Sequence, residues 1–138
     1  MYTQAFLEFT VFGQPIPKAR PRVAKGRAYT PTTTKNWEEL VAQYANLAML
    51  HEGWHLVTNP VEVYMEFYRQ DQKKADLDNL IKGVLDACNG VVYADDKQVR
   101  TLIGKVVYGA GKLAGVKVMF FEPGCLSDPL SQLMDVLK

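Results

Sequence analysis

One stretch near the middle of the chain constrains its folding more than any other. Apolar residues recur there with the spacing of a single helix face, at Leu77, Leu80, Ile81, Val84, Leu85 and Cys88. The pattern predicts a helix that ends near Asn89-Gly90. Asp76 and Asp78 therefore stand at the start of this helix, and Lys82 lies one turn beyond Asp78 on its polar face.

The two aspartates have two interpretations. An Asp at this place is commonly only a cap, which the free backbone N–H groups and the helix dipole stabilise. The two aspartates can instead belong to a metal site if the chain after the helix brings Asp96 close to them. The return is possible, because the helix carries the chain about 16 Å away and residues 89–96 can span about 26 Å. Three carboxylates without His or Cys suit Mg²⁺ or Mn²⁺ rather than zinc.

Two other acidic motifs are disfavoured. An EF-hand that began at Asp76 would need Gly and Glu where this chain has Ile81 and Ala87. A nucleophilic phosphatase Asp would follow an apolar strand, whereas Asp76 follows the polar residues Gln70 to Lys74.

The N-terminal third of the chain is locally basic although the net charge is only +1. No acid occurs between Phe9 and Trp37. Pro15, Pro17 and Pro21 favour extended backbone, so that cations spaced by two would point to one side and contact phosphates. The alternative is a solvated loop. Together with the polar link before the acidic helix, this segment supplies the candidates for nucleic-acid binding, which are Lys18, Arg20, Arg22, Lys25, Arg27, Lys73 and Lys74.

Alternating and helical patterns predict an α+β fold. Strands are expected over Ala5–Phe12, Val61–Arg69, Gln98–Tyr108 and Ala114–Glu122, with the last two paired as an antiparallel hairpin. A long helix is expected from Thr32–Thr34 to about His51, with a buried stripe at Trp37, Leu40, Val41, Tyr44, Leu47 and Ala48. The order β-α-β-α-β-β-α predicts a mixed sheet of about four strands with helices packed mainly on one face.

The length of 138 residues fits one domain, with a C-terminal helical extension over Ser127–Lys138. Two cysteines without CxxC spacing predict free thiols in a reducing cytoplasm. No segment approaches the roughly 18 apolar residues that would span a bilayer. A cytoplasmic protein without a membrane partner is therefore expected.

The acidic motif and the segment Asp95–Val99 together resemble a known family. The motifs are Asp76-Leu77-Asp78-Asn79-Leu80-x-Lys82, then Asp86-Ala87, then Asp95-Asp96-x-Gln98-Val99. With the opening Phe12–Arg22, they resemble the RusA family of Holliday-junction resolvases from about Phe6 to Phe121. Ala75 stands where some members carry a basic residue, and residues 127–138 extend past the shorter members.

The resemblance implies roles for individual residues. Asp76, Asp78 and Asp96 would hold Mg²⁺, Lys82 would be needed for cleavage, and Asp95 would be less critical. The implied activity is Mg²⁺-dependent, structure-specific endodeoxyribonuclease action that resolves four-way DNA junctions by paired phosphodiester hydrolysis, carried out by a homodimer.

Two other functions stay open from the residues themselves. One is a non-catalytic module that binds branched DNA through the basic N-terminal loop. The other is a phosphotransfer enzyme for a small substrate, against which the lack of a Gly-rich phosphate loop counts.

Overall fold

A computed structural model of the chain describes residues 5–19, 22–29, 32–126 and 136–137. In chain order its strands and helices are β1 (Leu7–Phe12), β2 (Arg22–Ala24), β3 (Arg27–Tyr29), α1 (Thr32–Glu52), β4 (Val61–Tyr68), α2 (Leu77–Cys88), β5 (Val99–Val107) and β6 (Gly115–Phe121). Single 3₁₀ turns occur at Asp96–Gln98 and Gly111–Leu113. No helix in these described ranges is long and apolar enough to cross a membrane.

The main sheet has the strand order β1-β6-β4-β5. β4 and β5 are parallel and are connected through α2, whereas β6 is antiparallel to both β1 and β4. This confirms the predicted α+β class and its four-stranded mixed sheet. Apart from residues 136 and 137, the helix expected over residues 127–138 lies outside the described residues.

The predicted hairpin of the last two strands is wrong, because β4 lies between β5 and β6. The link between them crosses the end of β4. There the N–H groups of residues 109–111 donate to the carbonyl groups of Asp71, Arg69 and Gln70 at 2.8–2.9 Å. Gly109 and Gly111 adopt φ angles of 78° and 57°, which glycine tolerates best. The chain thus passes over β4 before β6 begins.

One face of the sheet forms the core with α1 and α2. The alternate residues that it buries include Leu7, Phe9, Val11, Val63, Met65, Phe67, Val116, Val118 and Phe120. α2 lies close to β5 at Gly104, where a Cβ atom would come within 2.6 Å of Ile81 Cδ1. The small residue therefore lets the first half of α2, with its acidic end, lie directly on the sheet.

The buried face of α1 differs from the predicted stripe. Trp37, Val41, Ala45 and Met49 are buried, whereas Tyr44 and Leu47 are exposed. The buried row repeats every four residues, because α1 packs against both α2 and β1.

The basic segment is more ordered than an extended loop. β2 and β3 pair as a small antiparallel hairpin. Its turn contains Lys25 and Gly26, both with positive φ angles, of 53° and 76°. Positive φ at both central residues is the geometry that suits two-residue hairpin turns.

Candidate active site on the acidic helix

Asp76 occupies the N-cap position of α2 but does not act as a side-chain cap. Its backbone is extended, and within the described residues its carboxylate accepts no capping hydrogen bond from a backbone N–H group. Instead, Oδ2 accepts a 3.3 Å hydrogen bond from Asn79 Nδ2. Asp76 and Asp78 are both exposed. A capping hydrogen bond therefore does not account for Asp76, which is exposed to solvent.

Gln98 holds the turn that carries Asp96. Its amide oxygen accepts hydrogen bonds from the N–H groups of residues 94 and 95, at 2.9 and 3.0 Å. Its amide nitrogen donates to the carbonyl oxygens of Val57 and Asn59, at 2.9 and 3.0 Å. One side chain thus ties the 3₁₀ turn to the segment that precedes β4.

Asp95 and Asp96 have different roles in this turn. Asp95 Oδ1 accepts the backbone N–H of Lys97 at 2.8 Å and forms a capping box with Gln98. Asp96 Oδ2 instead lies 3.4 Å from Lys82 Nζ on α2. Asp95 therefore stabilises the turn locally, whereas the side chain of Asp96 points toward α2.

Lys82 lies between two carboxylates. Its Nζ is 2.9 Å from Asp86 Oδ1 and 3.4 Å from Asp96 Oδ2, while the side chain stays 53% exposed. The hydrogen bond to Asp86 is the largest cause of a raised pKa for Lys82, and Asp96 adds to it against the opposing effect of burial. The ammonium group therefore stays charged at neutral pH and remains accessible to an anion.

The predicted metal ligands are only partly brought together. Asp96 contacts Lys82, which lies one helical turn after Asp78 on α2. In the described ranges, however, no three His, Cys, Asp or Glu residues are grouped so that they could hold a metal ion. The metal set of Asp76, Asp78 and Asp96 stays a prediction.

Lys18 is bound to the site and is not a free cation. Its Nζ lies 2.9 Å from Glu38 Oε1 and 3.2 Å from Asp86 Oδ2, and its backbone N–H donates to Asn79 O at 2.8 Å. Burial by itself would lower the pKa of Lys18, but the hydrogen bonds to the two carboxylates outweigh it and raise that pKa. These pairs neutralise much of the positive charge of Lys18, which the sequence had suggested would bind DNA phosphates.

Four of the other predicted DNA-binding residues are more accessible than Lys18. Lys25, Arg27, Lys73 and Lys74 are exposed, and Lys74 Nζ lies 4.8 Å from the centre of the Tyr108 ring. Arg20 and the side chain of Arg22 lie outside the described residues.

Sequence reasoning missed two residues that organise this region. Asp86 is part of the sequence motif, and its spacing of four from Lys82 is the signal for an ion pair. Arg69 is 5% exposed and donates from Nη1 to the carbonyl oxygen of Pro15, which anchors the start of the basic segment. No sequence pattern distinguished Arg69 from the cations of the surface.

Comparison with known proteins identifies the family. The fold places an acidic helix end, a lysine and a returning aspartate on one surface, and the model of the endodeoxyribonuclease RusA family matches residues 13–120. The chain therefore belongs to the RusA family, whose members are Holliday-junction-resolving endonucleases. It is also 30% identical to the uncharacterized protein YqaN of Bacillus subtilis (strain 168), over 67% of this chain and 81% of that protein.

Proposed function

We propose that this protein is a Mg²⁺-dependent, structure-specific endodeoxyribonuclease that resolves four-way DNA junctions by paired phosphodiester hydrolysis, with Mn²⁺ as a substitute ion. The observation that carries the proposal is the 3.4 Å contact between Lys82 and Asp96, which brings the distant acid to the acidic helix. Membership of the RusA family supports the same activity.

The proposed metal ligands are Asp76, Asp78 and Asp96. Their chemistry fits Mg²⁺, because all three offer hard carboxylate oxygens and the first two are exposed. A bound Mg²⁺ ion would supply activation of water and neutralisation of charge on the scissile phosphate. Lys82, charged and half exposed, would bind a phosphate oxygen as negative charge develops there in the transition state.

Binding of the junction would depend on exposed cations outside the acidic helix. Lys25 and Arg27 lie on the β2–β3 hairpin, and Lys73 and Lys74 lie in the link before α2, all exposed to solvent. Such residues fix the register of a protein on DNA through the phosphates. A four-way junction has near two-fold symmetry, so paired cuts favour a homodimer with one site per subunit.

One observation favours the alternative of a non-catalytic branched-DNA-binding module. Among the described residues no group of three metal-binding side chains is already assembled. In this alternative the acids would serve α2 and its neighbouring turn, and the exposed cations would supply binding alone.

Cleavage assays on defined DNA substrates separate the two functions. The protein would be incubated with a labelled four-way junction, a linear duplex and a flap, with Mg²⁺, with Mn²⁺ and with chelator alone. We expect paired nicks in the junction that need the metal, and junction binding that survives the chelator. Asp76→Asn protein, purified in parallel, controls for a contaminating nuclease. Binding without cleavage at every metal concentration would support the non-catalytic module.

A further inference from the structure

A continuous set of ion pairs runs from α1 to the 3₁₀ turn, with Asp86 at its centre. Asp86 Oδ1 lies 2.9 Å from Lys82 Nζ, and Asp86 Oδ2 lies 3.2 Å from Lys18 Nζ. Lys18 continues to Glu38 at 2.9 Å, and Lys82 continues to Asp96 at 3.4 Å. Both oxygens of Asp86 are therefore engaged, each by a different lysine.

Helix stability alone does not explain an aspartate at this position. Asp86 lies in the last turn of α2, where the negative end of the helix dipole opposes a negative charge. Its pair with Lys82 also has the lysine on the N-terminal side, which is the weaker orientation for residues four apart. The carboxylate is better explained by the two cations that it holds.

We infer that Asp86 is a positioning residue, which holds the Lys82 ammonium beside Asp96 while Lys18 holds the other oxygen of Asp86. The inference rests on the proposed function, in which Lys82 binds the reacting phosphate. A lysine side chain is long and flexible, so its ammonium needs a fixed partner to occupy one place. Of its two partners, Asp86 makes the shorter contact.

The distribution of charge in the network supports different roles for Asp86 and Asp96. The network contains three carboxylates and two ammonium groups, so it carries one excess negative charge. Asp96 lies at the end of the network and has only one lysine contact among the described residues, whereas Asp86 has two. Asp96 can therefore exchange its lysine contact for the proposed metal ion more readily than Asp86 can. When Asp96 does so, Asp86 still holds Lys82 in place.

A double-mutant cycle tests the inference. Single-turnover cleavage of a four-way junction and its binding in chelator would be measured for wild type, Asp86→Asn, Lys82→Ala and the double variant. We expect Asp86→Asn to cleave about 10-fold more slowly, because misplacing a reacting group by about 1 Å is costly. Junction affinity should stay within about twofold. In the Lys82→Ala background, Asp86→Asn should change the rate by no more than about twofold.

Glu39→Gln is the matched control, because it removes the same charge from an exposed acid beside Glu38 that makes no ion pair in the described part of the chain. It should cleave at the wild-type rate. Equal slowing by Asp86→Asn in both backgrounds would show a merely structural role and overturn the inference.

The outcomes also separate this inference from the proposed function. If the wild-type protein cleaves the junction, Lys82→Ala cleaves slowly and Asp86→Asn cleaves at the wild-type rate, the inference is wrong but the proposed function stands. A wild-type protein that never cleaves would remove the proposed function and the inference with it. If Asp86→Asn does not fold, Asp86→Glu, which moves the carboxylate by one methylene group, allows the same cycle to be measured.

Discussion

Lys82 and Asp96 are fourteen positions apart in the sequence, yet Lys82 Nζ lies 3.4 Å from Asp96 Oδ2. The contact joins the polar face of α2 to the 3₁₀ turn that precedes β5. Asp78, one helical turn before Lys82, belongs to the same face. The polar face of α2 and the returning turn therefore lie side by side at Lys82, whose ammonium group the proposed function assigns to the scissile phosphate.

Replacement of Asp76, Asp78 or Asp96 by Asn, one at a time, should abolish junction cleavage and leave junction binding. Each change removes a carboxylate charge that is proposed to bind Mg²⁺ but little surface, and Mg²⁺ is held in proteins through only one or two carboxylates besides water and phosphate. Cleavage gels and a binding titration measure the two effects separately. A variant that cleaves at near the wild-type rate would exclude its residue from the site.

Asp95→Asn is the control for those variants and should keep much of the activity. Asp95 binds the backbone N–H of Lys97 through Oδ1, and Asn serves this capping role about as well as Asp. Complete loss of cleavage by Asp95→Asn would mean that the wrong acid of the pair has been assigned to the metal.

Lys82→Ala should separate catalysis from stability. The substitution is at a half-exposed helix position, so the free energy of unfolding should change by no more than about 0.5 kcal/mol. The single-turnover cleavage rate should fall about 100-fold or more, because a contact to the transition state is lost. Urea unfolding and junction binding show that the variant is folded. A rate within a few fold of wild type would reject the role of Lys82.

The basic residues should differ in their effect on the salt dependence of DNA binding. Joint replacement of Lys25 and Arg27 by Ala should reduce the slope of log K against log salt by about 1.8, since each duplex phosphate contact contributes about 0.9. Lys18→Ala should leave the slope nearly unchanged, because Glu38 and Asp86 already neutralise its charge. If Lys18→Ala reduces the slope and the double replacement of Lys25 and Arg27 does not, then Lys18 contacts a phosphate and the two hairpin cations are only solvated.

Glu62 should make stability depend on pH in the acid range. Burial by itself raises the pKa of this carboxyl, but hydrogen bonds from Leu126 N–H and the Thr101 hydroxyl help to lower it below the ordinary value. A folded-state pKa below the unfolded one means that stability is present above about pH 4.3 and is lost as the pH falls through the folded value.

Glu62→Gln provides the comparison for that prediction. The variant cannot ionise at position 62, so the difference in unfolding free energy between wild type and variant should shrink as the pH is lowered from about 6 to about 3. Urea unfolding across this range measures it. A difference that does not depend on pH would show that the depressed pKa of Glu62 does not contribute to stability.

Local patterns predicted the elements of the fold well. The alternation that predicted Val61–Arg69 corresponds to β4 at Val61–Tyr68, and the predicted acidic helix corresponds to α2 at Leu77–Cys88. These periods reflect which side of a strand or helix faces the core, and neighbouring residues in the sequence carry that information. The pairing of strands does not leave such a local pattern. The expected hairpin failed because its turn residues bind the end of β4.

The candidate site shows the same division. The helical period by itself determined that Asp76, Asp78 and Lys82 would lie near one end of one helix. Only the tertiary structure decided that Gln98 would clamp the returning turn, that Asp96 would meet Lys82, and that Lys18 would pair with Glu38 and Asp86. The physical reason is the range of the interactions. Helix geometry repeats within a few residues, whereas ion pairs between distant segments depend on how the whole sheet and both helices pack.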